Sequence, residues 1–220
     1  MTEVMMHDVE LEPEPMLGRQ IDNGPLRGRF TFGWDVLGAD HETVRADWLA
    51  YAKAAPNREF RQLVMVCSFR PETPESKGVF RHASLGVKLS TIPRRTANPL
   101  ARLIDPGERT RPIPGPGTGI SFTVKAVVLD VGVQKPPSAA AANEEWIVRG
   151  HGASQPNPQW EFRPVKRFPL VGDHPVAALI ELVPDTVNAA EVLVAAELEH
   201  RSWGVRRYRA KLGSPHAILL

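Results

Sequence analysis

The sequence predicts a mainly β protein: an antiparallel β-sandwich or distorted barrel with one covering α-helix at about residues 40–55. Three observations predict it. Prolines number 21 in 220 residues, and proline is excluded from helix interiors and central strands, so the elements must be short and end where prolines stand. Seven or eight short segments alternate apolar and polar residues with a period of two, and a single segment has the 3.6-residue period of an amphipathic helix. No alternating β-α-β rhythm is present, which excludes a parallel doubly wound sheet.

Composition bounds the class of object. Hydrophobic residues make up 42% and charged residues 24% of a chain long enough to bury a substantial core. The net charge of +2 does not by itself call for a polyanionic partner. With one cysteine, Cys67, no internal disulfide forms. Its apolar neighbours mark it as a small core residue rather than a reactive thiol. No basic, then apolar leader opens the chain and no run approaches the ~18 apolar residues of a membrane span. A cytoplasmic location without membrane contact is the expectation.

Three parts are expected: a weakly ordered acidic arm over 1–23, a single domain over 24–212 and an apolar C-terminal tail over 213–220. In the arm, Glu10, Glu12, Pro13, Glu14 and Pro15 bury too little to offset chain entropy. The first strand follows at 26–37, with Phe30, Phe32 and Trp34 on one face. The helix pattern comes next, with Asp40 as N-cap, Glu42 in the first turn, and Val44, Trp48, Tyr51, Ala52 and Ala55 as its apolar stripe. Pro56 and Asn57 stop it.

Residues 60–69 form an apolar strand closed by a polar loop. In 79–90, Ala83, Leu85, Val87 and Leu89 take one face, with Arg81 of the same parity, and His82, Ser84, Lys88 and Ser90 take the other. Residues 91–117 form the longest irregular region and carry Arg94, Arg95, Arg102, Arg109 and Arg111. A further strand is expected at 120–131, a flexible tip at 134–143, and a strand at 144–150 in which Trp146 and Val148 share a face.

The best-defined stretch is 160–200. Two apolar runs, 176–183 and 191–199, are separated by Pro184, Asp185 and Asn188 and read as a central β-hairpin. Val192, Val194, Ala196 and Leu198 should face the core, with Glu191, Glu197 and Glu199 outward. Trp160 and Phe162 should seal the core from the preceding strand. The pair 60–69 and 79–90 repeats this layout, as an internal pseudo-repeat or simply as a second hairpin.

Motifs for chemistry are sparse. His7, His41, His82, His151, His174, His200 and His216 show none of the short ligand spacings of zinc sites. No nucleophile elbow is present. The run Gly115 to Gly119 lacks the Lys-Ser/Thr ending of a phosphate loop, and its prolines remove backbone donors. No catalytic residue, cofactor or metal ligand is assigned. The residues chosen for nucleic-acid or anion contact are Arg94, Arg95, Arg206, Arg207, Tyr208 and Arg209, because arginines meet phosphates and an aromatic ring stacks on a base.

The leading expectation is a non-enzymatic interaction module, binding a protein partner or forming a homo-oligomer within a larger assembly. Alternatives are a hydrolase or small-ligand-binding enzyme with a loop-built site, and a nucleic-acid-binding accessory protein using the loop 94–111 and the segment 201–211.

Overall fold

The computed structural model describes residues 6–14, 24–70, 78–111, 145–165, 168–201, 205–210 and 216–220. It is mainly β, with the antiparallel strands of one sheet nearly closed into a distorted barrel. In chain order the strands are β1 (Met6–Pro13), β2 (Leu26–Gly38), β3 (Phe60–Phe69), β4 (Gly78–Ile92), β5 (Leu100–Asp105), β6 (Glu108–Arg111), β7 (Glu145–His151), β8 (Gln159–Phe162), β9 (Gly172–Glu181), β10 (Val187–Arg201), β11 (Val205–Ala210) and β12 (His216–Leu219). The helix α1 (Ala46–Lys53) lies between β2 and β3. Around the wall the order is β5-β9-β3-β2-β1-β11-β10-β4-β8-β7-β6, with β12 beside β10. None of the described helices is long and apolar enough to cross a membrane.

Closure comes from the two ends of that path. β5 and β6 stand at opposite ends yet are separated in sequence by Pro106 and Gly107 alone. The Gly150 amide donates to the Gly107 carbonyl at 2.6 Å, the Ala101 amide to Gln155 at 3.0 Å and the Ser154 amide to Ala101 at 2.6 Å. Bringing the two ends together covers edges that could otherwise template aggregation.

The interior is lined by inward apolar residues at every second position. Phe69 is its hub: its ring lies 5.0 Å from Phe30, 5.1 Å from Phe80 and 5.6 Å from Phe162, in stacked, edge-on and tilted arrangements. Trp160 and Phe162 are buried, as the alternation of β8 requires, and so are Ala83, Leu85, Val87 and Leu89. In β4 a bulge resets the parity. Glu197 faces His82 while Leu198 faces Phe80, so Phe80 turns inward and Arg81 and His82 both turn out. That slip lets Arg81 meet Glu199 in a bidentate pair, both N–O distances being 2.9 Å.

Several expectations are corrected. Residues 6–13 of the acidic arm form strand β1, with Val9 and Leu11 buried. The alternation of Val9, Glu10, Leu11 and Glu12 puts the carboxylates outside and the apolar groups inside. The C-terminal tail ends in β12, with Ile218 in the core. Residues 91–117 are not one irregular region, since β5 and β6 lie within them.

The expected central hairpin does not exist either. β9 pairs with β3 and β5, whereas β10 pairs with β4, β11 and β12. The link between β9 and β10 is a crossing turn held by buried Asn188. Its Oδ1 accepts from the Val183 amide at 2.9 Å and its Nδ2 donates to the Val183 carbonyl at 3.0 Å. β3 and β4 likewise do not pair with each other. The segments pair across the two expected hairpins instead, β3 with β9 and β4 with β10. The face assignment within β10 holds: Val192, Val194, Ala196 and Leu198 point inward.

The helix starts at Ala46, six positions after Asp40, with Arg45 as N-cap residue and no side-chain cap. The chain before it is spent on tight turns, in which the His41 amide bonds the Gly38 carbonyl and the Val44 amide bonds His41. Arg45 instead ties the helix start to the barrel, reaching Asp47 at 2.8 Å and Asp105 at 3.0 Å. The expected stripe is the packing face. Val44 and Trp48 bury against Phe60 and Leu179, with Tyr51, Ala52 and Ala55 at the margin. Leu179 is out of phase with the inward Val176, Ala178 and Ile180, so α1 lies on the outside of the β3–β9 wall rather than over an open end. The expected strand at 120–131 and tip at 134–143 lie outside the described residues.

Gly150 offers a test of closure. A Cβ there would collide with the Pro106 carbonyl oxygen and stand 3.0 Å from Trp160 Nε1. Gly150→Ala is expected to destabilise the fold by about 1–3 kcal/mol, the usual cost of overpacking. Urea unfolding followed by tryptophan emission measures it, and an unchanged midpoint would show that the seam gives way freely.

Candidate functional site

The six residues chosen from sequence do not form one surface. Arg94 and Arg95 are exposed in the loop after β4, the Arg95 amide bonded to Thr91 Oγ1 at 2.9 Å. Arg207 and Arg209 are exposed on β11, whose partner positions on β10 are Glu199 and Glu197. From Val187, opposite Ile92, to Glu199 the strand β10 runs twelve positions, about 40 Å of extended chain. Arg207 lies 3.9 Å from Glu197 and Arg209 is ion-paired with Glu14. Across the outer wall these join Arg81–Glu199 and Arg27–Glu10 in a pattern of alternating sign. Arg207 and Arg209 of the basic C-terminal segment thus face carboxylates, Glu197 on β10 and Glu14 just after β1.

Tyr208 is corrected outright. Its side chain is buried in the core opposite Leu198 and is not available to stack on a base. Arg206 pairs through its backbone with His200, and its side chain lies outside the described residues. Arg102 is committed to structure. Although burial opposes it, Arg102 at 2.6 Å and Arg58 at 2.9 Å hold the Glu181 carboxyl below its usual range.

His82, His151 and His174 are dispersed. His82 and His151 are exposed on separate strands, and His174 packs edge-on against Phe69 and Phe162 with a ring nitrogen 3.1 Å from the Val171 carbonyl. No group of three or more metal-ligating side chains occurs among the described residues. Cys67 is fully buried, and burial pushes its thiol far up, so the thiolate needed for nucleophilic attack is not formed.

Two features stand out instead, neither visible from sequence. The first is an apolar strip on the outer face of β4, β10 and β12. Ile92 and Val187 are register partners, exposed by 52% and 51%. Leu219, exposed by 69%, stands on β12 opposite Ala189, two positions along β10 from Val187. Leu193, exposed by 41%, continues the outward row of β10 beyond the Lys88–Glu191 ion pair at 3.3 Å. Arg94 and Arg95 stand next to Ile92 at the rim. The signal was the odd-numbered row of β10, masked by reading Val187 as turn and Leu219 as tail.

The second is a cluster of rings lining the barrel wall on β1, β2 and β12. His7 stacks on Trp34, centroids 4.5 Å apart and planes 9° from parallel. His216 sits 5.1 Å from His7 and 5.0 Å from Phe32. Burial, and then the proximity of His7, lowers the His216 pKa from 6.5. The carboxylates on the strands that carry or flank the cluster are otherwise engaged. Asp8 accepts from the Gly28 amide, Asp35 from the Val36 amide, and Glu191 bonds Lys88.

A histidine whose folded pKa lies below its unfolded value favours the neutral form in the native state. Its contribution to stability is complete above about pH 6.5 and is lost as pH falls from there toward the folded pKa. Urea midpoints measured in metal-free buffer should therefore fall between pH 7 and pH 5. In His216→Gln that fall should be smaller, while a fall of equal size would remove His216 as its source.

The chain matches no protein-family model, no curated protein and no solved structure.

Proposed function

We propose that this protein is a non-enzymatic interaction module that joins a larger assembly through the outer face of β4, β10 and β12. The observation that carries this reading is the strip of Ile92, Val187, Leu193 and Leu219, four large apolar side chains at least 41% exposed on one sheet face. Burying a leucine or isoleucine fully is worth about 1.5–3 kcal/mol relative to full exposure, so a partner covering four half-exposed ones gains several kcal/mol. Scattered apolar residues on a surface are ordinary, but a row on one sheet face with a charged rim is the form of an interaction site. A cytoplasmic accessory role and self-association belong to this proposal.

Nucleic-acid binding is the second reading, favoured by Arg94 and Arg95 alone. The exposed pair offers two phosphate contacts at most, which supports weak, salt-sensitive binding. Heparin retention that is unchanged in the double variant Arg94→Glu, Arg95→Glu would end it.

The leading reading is tested by sedimentation velocity over a concentration series of the full chain, wild type against the double variant Ile92→Asp, Leu219→Asp. Both side chains are more than half exposed, so the melting temperature should move little. Association is expected in the wild type and should weaken at least tenfold in the variant. A wild type that stays monomeric and takes up no partner in chemical crosslinking, or an assembly indifferent to the variant, would defeat the proposal.

A further inference from the structure

We infer that His7 and His216 form a two-histidine site for a divalent transition-metal cation of the zinc, nickel or copper type, joining strand β1 to strand β12. The inference is independent of the interaction strip. Two imidazoles bound to one tetrahedral cation, each through a bond of about 2.0–2.1 Å, hold their ring centroids roughly 5 Å apart. Those of His7 and His216 are 5.1 Å apart. Their planes are inclined by 46°, which is incompatible with face-to-face stacking, the arrangement that would turn ring edges away from a shared ion.

The donor chemistry fits. Among the described residues, neither ring makes a hydrogen bond. Trp34, stacked on His7 at 4.5 Å, restricts that ring and reduces the freedom lost on binding. Both histidines are half-buried rather than sealed, which leaves an approach for the ion. Imidazole donors favour zinc, nickel and copper over calcium and magnesium.

The test uses the untagged full chain after treatment with a chelator. Zinc chloride is titrated at pH 7.5 by calorimetry, and melting is followed with and without zinc. One ion per chain is expected, with a rise in melting temperature that grows with zinc concentration. His7→Gln and His216→Gln should each weaken binding at least tenfold, whereas His82→Gln, His151→Gln and His174→Gln should not.

A second readout covers the case in which a histidine variant folds poorly. Copper(II) should quench part of the tryptophan emission of the wild type, and Trp34→Phe, with both histidines intact, should lose that part while still binding zinc. Zinc binding that persists in the two named histidine variants overturns the inference. So do the absence of binding to the folded wild type up to millimolar zinc, and quenching that is unchanged in Trp34→Phe.

Discussion

The ladder between β4 and β10 is the constraint on which the rest depends. Its register runs from Ile92 opposite Val187 to Gly78 opposite His200 and is interrupted by one bulge. Because side chains alternate strictly along a strand, this register decides at once which residues enter the barrel and which leave it. The bulge at Arg81 and His82 is what allows both Phe80 and Ala83 to face inward. Without it the near half of β4 would present Val79 to the core and Phe80 to water. The same slip creates the Arg81–Glu199 pair. Removing either partner strands the other on a half-covered wall, so the pair's main effect is to hold that one register against its neighbours.

From this ladder the two surface features follow. β10 is long enough to carry β11 on one half of its free edge and β12 on the other. The half bearing β11 is covered with carboxylates and arginines in alternation, while the half bearing β12 exposes Val187, Leu193 and Leu219. One strand thus carries Arg207–Glu197 and Arg81–Glu199 ion pairs on one part of the outer wall and exposed apolar side chains around the Lys88–Glu191 pair on the other. By placing His216 across from Val192 on the inward face, the same strand also brings it toward His7 and Trp34.

Local periodicity made much of this fold legible. The inward rows of β4, β8 and β10 and the stripe of α1 are set by short-range alternation and burial, and they stand where the pattern of residues puts them. Pairing was not legible. Neighbouring strands in sequence usually pair, yet β9 lies against β3 and β10 against β4, and nothing within 176–199 encodes that choice. The acidic arm was misread because glutamates and prolines suggest disorder, although Val9 and Leu11 alternate with Glu10 and Glu12 as an outer-wall strand requires. The cluster of His7, Trp34 and His216 had no local signal at all, since its members are brought together only by the barrel. Basic segments misled for a related reason. Arginine counts take no notice of the glutamates that face them from another strand.

The crosswise pairing also governs when the protein can fold. Gly78 meets His200 and Phe60 meets Glu181, so the principal ladders close loops of more than a hundred residues. Loop-closure entropy must be met before such contacts return anything, and topologies dominated by distant pairings fold slowly, on the millisecond-to-second scale or beyond. During synthesis β3 and β4 leave the ribosome long before β9 and β10 exist to cover them. For that interval the β9 side of β3 and both edges of β4 lack their strands, and Leu85 lacks the cover of Trp160 and β10. The nearly closed wall of the finished barrel is, in the nascent chain, a β2–β3 pair open on one side and a β4 with neither neighbour yet made.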